Sequence, residues 1–415
     1  MAFKQPVRAV TAADEGKPIY AVWEITLRCD HACAHCGSRA VKAREDELTT
    51  AEMFAIADKL AEMGTRECTL IGGEAYLRED CVDLVARLHG NGIRVTMQTG
   101  GRGLTPERCE ALAGAGLAAI GVSIDGPEHV HDLLRASKGS HAAALRALDH
   151  ARGAGLITSS NMQVNRLSWH HLRESYEVMQ DKGVRAWRCQ LTVPMGRAAD
   201  RPEWLLEPWR IIDVIDELAE LQKDAAARAK AQGLPPERTM NVSLGNNLGY
   251  YGPHEELLRS LPGGNSSYWS GCAAGRFTVG IESDGKVKAC PSLPTHPYVG
   301  GNVRDLPFEE IWNTEALAFA RNRTVDELWG FCKTCYYAET CKAGCSWTSH
   351  VTLGKRGNMP WCYHRASQLK RLGLRERLVP VVAAEGVPYD YGRLELAVEP
   401  WEPAAAAEAP TAPAK

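Results

Sequence analysis

Leu27-Arg28-Cys29-Asp30-His31-Ala32-Cys33-Ala34-His35-Cys36 decides how the rest of this chain is read. It spaces three cysteines as C-x3-C-x2-C. Three thiolates are one fewer than a cubane iron–sulfur cluster has irons, so a cluster held here keeps one iron without a protein ligand. An open iron can bind and cleave a small molecule, whereas a fully ligated cluster mostly passes electrons. A short loop suffices, because an extended chain covers roughly 3.3–3.6 Å per residue and can wrap one corner of a cluster. Closely spaced cysteines also build zinc sites, which normally take a fourth ligand that His31 or His35 could supply.

Around this loop, residues 19 to 191 read as strand-then-helix repeats with six strands. The strand candidates are Ile19–Leu27, Glu67–Ile71, Arg94–Gln98, Ala119–Ile124, Thr158–Val164 and Arg185–Leu191, short apolar runs of the kind buried in a parallel sheet. Thr49-x-x-Glu52 reads as a capping box for a helix carrying Met53, Ile56, Leu60 and Met63 and ended by Gly64. Further helices are expected at about Asp80–His89, Pro106–Ala113, Ser140–Gly153 and Trp169–Lys182. The alternation implies a parallel α/β architecture with reactive groups at the carboxyl ends of the strands. Counting repeats does not by itself tell a barrel from an open sheet. Gly114-Ala115-Gly116 fits a loose dinucleotide fingerprint but follows a helix and precedes a strand, so it reads as a turn. The domain boundaries expected are an N-terminal extension (1–18), the repeats (19–195), a bridging segment (196–270) with a long helix Pro208 to Ala231, a cysteine-rich domain (271–373) and a C-terminal extension (374–415). The Ala-, Pro- and Glu-rich stretch from about 397 reads as disordered.

Two further motifs sit where strands end. Gly72-Gly73-Glu74 follows the second strand, and Ser123-Ile124-Asp125-Gly126-Pro127 with His131, Asp132 and Arg135 follows the fourth. Together with the cysteine loop they resemble the radical S-adenosylmethionine (SAM) superfamily. The resemblance implies a partial (β/α)6 barrel in which the open iron chelates SAM and one electron splits it into methionine and a 5′-deoxyadenosyl radical. It implies Cys29, Cys33 and Cys36 as cluster ligands. Gly72, Gly73 and Glu74 would meet the SAM ammonium, Ser123 the ribose and Arg135 the SAM carboxylate. Arg supplies a planar fork suited to a carboxylate. Asp125 either joins this site or shapes the turn with Gly126. Gln98, ending the third strand, is a weaker candidate for contacting substrate. Departures from the family pattern are His35, where an aromatic residue is usual, and Ala75, where proline is usual.

A second cysteine array follows: Cys272, then Gly285 and Cys290, then Cys332-x2-Cys335-x5-Cys341-x3-Cys345, and Cys362. Its spacing resembles the SPASM domain, which holds two auxiliary iron–sulfur clusters. By that resemblance Cys272, Cys290 and Cys345 serve auxiliary cluster one, and Cys332, Cys335, Cys341 and Cys362 serve auxiliary cluster two. Three 4Fe–4S clusters are therefore expected in all, the first auxiliary one with either an open iron or a borrowed ligand. Ser283-Asp284-Gly285-Lys286 would turn a hairpin between two short strands. In sulfatase-maturing relatives an Asp follows the second cysteine of this array and acts as base. Here Pro291 follows Cys290, and proline cannot take a proton. Cys68, Cys81, Cys109 and Cys189 read as small buried apolar groups.

The chain has 415 residues, a net charge of −3, 45% hydrophobic and 24% charged residues. That balance argues against a nucleic-acid or anionic-membrane surface. No run of about 18 apolar residues and no signal-like start are present, which points to a cytoplasmic location. Fourteen cysteines in a long chain of this kind are more often metal ligands than disulfides. SPASM relatives often modify genetically encoded peptides, so the first functional expectation is a radical SAM peptide maturase acting on a precursor peptide. A flavodoxin or ferredoxin would supply electrons, and a separate small protein or this chain itself would recognise the peptide leader. The rival expectations are maturation of a small cofactor, such as a tetrapyrrole or a peptide-derived redox cofactor, and a zinc-binding interaction protein without catalysis.

Overall fold

Six parallel strands follow one another across a single sheet in the computed structural model, which describes residues 8 and 10–401. They are β1 (Tyr20–Glu24), β2 (Glu67–Ile71), β3 (Arg94–Thr99), β4 (Leu117–Ser123), β5 (Ile157–Val164) and β6 (Ala186–Leu191). Helices cover their outer face: α1 (Thr50–Glu62), α2 (Cys81–Gly90), α3 (Pro106–Gly114), α4 (Glu128–Arg135), α5 (Ser140–Gly153) and α6 (Leu172–Asp181). The capping box of α1 is formed in both directions, and Met53, Ile56, Ala57 and Leu60 make its buried stripe. Each such large apolar side chain contributes about 1.5–3 kcal/mol when fully buried. Trp23 and Trp187, on β1 and β6, are fully buried on that helix-covered face. Cys68, Cys81, Cys109 and Cys189 are buried in the same core.

One cavity touches alternate residues of every strand from β1 onward: Val22, Thr69, Gln98, Gly121, Asn161 and Arg188 all line it. A flat sheet could not converge this way, so the sheet is the wall of a partial barrel with a lumen. The register supports the same layering, with Ser123 opposite Asn161 and Asn161 opposite Arg188. β1 stops at Glu24 rather than at Leu27, because the chain peels away there into the cysteine loop.

The sheet extends beyond the six repeats at both edges. β7 (Asn241–Leu244), a short strand after the long helix α7 (Ile211–Ala231), pairs parallel with β6. On the other side β8 (Thr278–Ile281) pairs parallel with β1, and β9 (Lys286–Lys288) and β10 (Val299–Asn302) continue antiparallel. The segment between Cys272 and Cys290 of the second cysteine array is thus hydrogen-bonded to the first strand of the barrel. Gly285 has φ +87° in the hairpin turn between β8 and β9, a conformation that favours glycine.

The C-terminal extension corrects one expectation. Residues 397–400, expected to be disordered, belong to β12 (Arg393–Pro400), which forms an antiparallel ribbon with β11 (Leu374–Val382). Glu399 binds Arg375 at 2.8 Å and Arg377 at 3.4 Å across the ribbon, partners that a local composition reading does not weigh. Trp401 follows the ribbon, its N–H donating to Gly373 O at 2.7 Å, and residues 402–415 of the expected disordered stretch lie outside the described residues. Among those described, no helix is long and apolar enough to cross a membrane.

Candidate functional site

The cysteine loop is clamped by main-chain bonds at the carboxyl ends of β1 and β2. Gly73 N–H donates to Thr26 O and Glu74 N–H to Arg28 O, each at 2.8 Å. A Cβ on Gly72 would lie 2.4 Å from Thr26 O, and one on Gly73 2.3 Å from Arg28 O. The two glycines are therefore required by the close approach of the cysteine loop itself. Glu74 is buried, with Oε1 accepting from Gly100 N–H at 2.6 Å and Oε2 accepting from the Thr99 hydroxyl. Burial pushes its carboxyl up to about 7. One of its carboxylate oxygens, Cys29 Sγ and a carboxylate oxygen of Asp30 lie within 4.8 Å of one another.

Polar atoms around this loop are left without partners among the described residues. Both ring nitrogens of His31, Asp30 Oδ1 and His131 Nε2 are buried and make no hydrogen bond. Such orphans are rare, because each costs the desolvation of the group. Beside three thiols, one of which (Cys29) burial pushes up to about 12, they suit a thiophilic cluster with a polar ligand on it. The residues present fit the pair of groups that the sequence motifs imply.

Asp125 and Arg135 form a buried ion pair on the far side of the loop. Arg135 Nη2 lies 2.6 Å and Nε 2.8 Å from Asp125 Oδ2, and Nη1 is 3.8 Å from Cys33 Sγ. Asp125 Oδ1 accepts from Gln163 N–H at 2.9 Å, and its own N–H donates to His131 Nδ1. Burial would raise this carboxyl, but Arg135 beside it holds it down to about 2. His35 donates from Nδ1 to Leu134 O at 2.9 Å with Nε2 3.5 Å from Asp125 Oδ2, so it buttresses the pair. Asp132, from the same motif, accepts from Gly139, Ser140 and His141 at the start of α5 and is a cap.

The lumen below is polar. Ser123 lines it, as does Gln98, whose side-chain oxygen accepts from Asn161 and covers Gly121. Its volume is about 620 Å³. Four arginines line it (Arg8, Arg94, Arg185 and Arg188) against Glu67, to which Arg8 and Arg94 both bind. Arg188 makes no hydrogen bond or ion pair among the described residues. The residue lines the lumen yet stays exposed to solvent, and desolvation first and the like charge of Arg8 second pull its guanidinium below its usual value. The sequence carries the signal: in Ala186-Trp187-Arg188-Cys189-Gln190-Leu191 polar residues alternate with apolar ones, which turns Arg188 and Gln190 to the lumen.

The second cysteine array separates into two groups. Cys332, Cys335, Cys341 and Cys362 line one small cavity with Tyr250, Phe331 and Met359. Cys272 acts on the thiols of Cys290 and Cys345, and burial, the larger cause, pushes Cys345 up to about 12 and Cys290 to about 11. Pro291 and Ser292, directly after Cys290, line the barrel lumen, so this group borders the lumen.

Residues 23–179 match the radical SAM superfamily, and residues 272–336 match the iron–sulfur cluster-binding SPASM domain. The chain is 28% identical over 353 residues to the AdoMet-dependent heme synthase of Nitratidesulfovibrio vulgaris, across 84% of this chain and 92% of that protein. It is 28% identical over 334 residues to the mycofactocin maturase MftC of Mycobacterium ulcerans, across 79% of this chain and 83% of that one. Its fold is similar to that of anSMEcpe with bound AdoMet and Kp18Cys peptide, at TM-score 0.64 and 17% identity over 84% of this chain and 94% of the other.

Proposed function

This chain carries a radical SAM domain followed by a SPASM domain, and from that premise we propose that it is a maturase making a radical on a genetically encoded peptide. SAM bound to an iron–sulfur cluster supplies the hydrogen-abstracting radical in such chemistry. The chain's own part is to bind, orient and shield. Cys29, Cys33 and Cys36 hold the cluster; Glu74 and Arg135 take the ends of the SAM methionyl group; Ser123 takes the ribose. Two auxiliary clusters sit on the cysteine groups Cys272/Cys290/Cys345 and Cys332/Cys335/Cys341/Cys362. A flavodoxin or ferredoxin supplies electrons.

The observation that carries the peptide reading is the lining of the lumen. Gln98, Asn161, Gln190 and Ser243 present polar side chains along the strands, Asn161 already donating to Gln98, while Thr69 and Thr96 behind them bond to each other. That surface pairs with the amides of an extended peptide, whereas a flat apolar macrocycle is better served by aromatic and aliphatic walls. The test is anaerobic reconstitution with SAM, a low-potential reductant and the short peptides encoded beside the gene. Formation of 5′-deoxyadenosine together with a changed peptide mass is expected. If no such peptide changes mass while 5′-deoxyadenosine accumulates, the peptide is not the substrate.

A second reading has its own support. Heme synthases match the chain at 28–29% identity, and a cationic lumen suits the carboxylates of a tetrapyrrole. A new product mass from iron-coproporphyrin III in the same assay would select it.

A further inference from the structure

Arg323 is buried between the two groups of the second cysteine array, and most of its guanidinium has nothing to bind. The residue is 3% exposed. Nη1 donates to Ser346 Oγ at 3.0 Å, and Ser346 directly follows Cys345 of the first group. Its carbonyl oxygen accepts from Lys342 Nζ at 2.7 Å, and Lys342 directly follows Cys341 of the second. Nε and Nη2, which carry three of the five N–H donors, are buried without a partner among the described residues.

An unpaired guanidinium inside a protein is a strong demand for an anion. The neighbouring carboxylate does not meet it, since Glu327 is paired with Arg356 at 3.1 Å. No cysteine sulfur accepts a hydrogen bond from the guanidinium among the described residues. The cysteines whose charge reaches it are Cys272 and Cys341, one from each group. An iron–sulfur cluster changes the balance. Its thiolates outweigh the positive charge of the core, so the ligated cluster is a net anion in both oxidation states, and more so when reduced.

We propose that Arg323 is a positioning residue shared by the two auxiliary clusters, with its free N–H groups directed at their sulfur ligands and its charge raising their reduction potentials. The inference rests on the clusters proposed above and goes beyond them to the residue that tunes them. A fixed cation beside a cluster stabilises the form carrying the extra electron, which moves the midpoint upward. Because Arg323 borders both cysteine groups, it acts on both midpoints together.

The experiment uses the full chain with Cys29, Cys33 and Cys36 replaced by alanine, so that only auxiliary clusters contribute. In this background Arg323, Arg323→Lys and Arg323→Gln proteins are reconstituted anaerobically. Iron and acid-labile sulfide are assayed, and the clusters are titrated potentiometrically with paramagnetic resonance detection. Arg323→Gln with full iron and sulfide should show more negative midpoints, and Arg323→Lys should remain nearer the parent. Loss of iron from Arg323→Gln but not from Arg323→Lys also supports a charge requirement. Parental midpoints in a fully loaded Arg323→Gln protein, or iron loss from both variants, would overturn it. A parent protein holding no iron would instead sink the cluster assignment, and this inference with it.

Discussion

The Tyr389 hydroxyl donates to the Glu24 carboxylate, tying the loop of the C-terminal ribbon to the last residue of β1. Tyr389 adopts a left-handed backbone conformation (φ +60°), and Lys288 Nζ sits 4.1 Å from its ring centre. It lines the lumen beside Pro291 and Ser292. The ribbon is thereby a wall of the reaction chamber, and a closed wall is what keeps a radical from water. Replacing Tyr389 by Phe removes the bond and leaves the ring. Destabilisation of about 1–3 kcal/mol is expected for a buried hydrogen bond to a carboxylate. Less substrate should be converted per 5′-deoxyadenosine released; unchanged coupling would remove the ribbon from the account of the chamber.

Glu24 also gives the fold a pH dependence. Burial raises its carboxyl from 4.5 to about 7, against the pull of Arg44 and Lys288 and with the push of Glu282; Tyr389 faces it as a donor. A carboxyl whose folded value is raised contributes stability that is complete below its unfolded value and lost as pH rises through the folded one. The full swing is on the order of 3 kcal/mol. Anaerobic melting of the parent should therefore fall relative to Glu24→Gln as pH rises from about 4.5 to about 7, and level off above that. Parallel curves would show that Glu24 is ionised throughout.

Asp125 holds Arg135 by two contacts to one oxygen, so Asp125→Asn is expected to act through Arg135. Breaking a buried pair by removing one charge costs about 3–5 kcal/mol, and the released guanidinium no longer faces Cys33 in a fixed pose. SAM affinity, measured by equilibrium binding to the reconstituted protein, should fall about tenfold or more. Arg135→Lys should fall similarly, because a point charge does not replace the planar fork.

The two groups of the second array make separable predictions. Cys335→Ala alters the cavity shared by Cys332, Cys341 and Cys362, and Cys290→Ala alters the neighbourhood of Cys272 and Cys345. Each should remove roughly four irons per chain and leave the other cluster's resonance signal intact. Loss of both signals from either single variant would show that the two sites do not fold independently.

How much of this could be read in advance depended on range. β2 spans the residues expected, Glu67–Ile71, because a short apolar run bounded by turns carries its own boundaries. α4 went unread, since Glu128–Arg135 was taken as a motif although Val130 and Leu134 give it a buried face. β7 is only four residues long and follows a polar loop, so no local pattern marks it. The glycines of Gly72-Gly73 were expected to make room for a ligand, and the nearest backbone turned out to be the cysteine loop. Tyr389 and Arg323 carried no signal at all. Each gains its meaning from a neighbour distant in sequence, Glu24 for one and the two cysteine groups for the other.

Arg188 offers the most direct test of what enters the lumen. Its guanidinium is unpaired among the described residues, opposite Asn161 in the sheet register and between the SAM loops and the cationic floor of Arg8 and Arg94. A substrate carboxylate is the natural partner for an unpaired planar donor fork that reaches into a solvent-filled lumen. With the precursor peptide as substrate, Arg188→Gln should lower kcat/KM by about 10–100-fold through KM, the range of one charge-assisted bond. Arg188→Lys should recover part of that loss. Converting the substrate's acidic groups to amides should lower kcat/KM for the parent and leave the Arg188→Gln value where it was, since the two changes remove the same contact. Additive losses would place the carboxylate elsewhere in the lumen and leave Arg188 to shape the cavity.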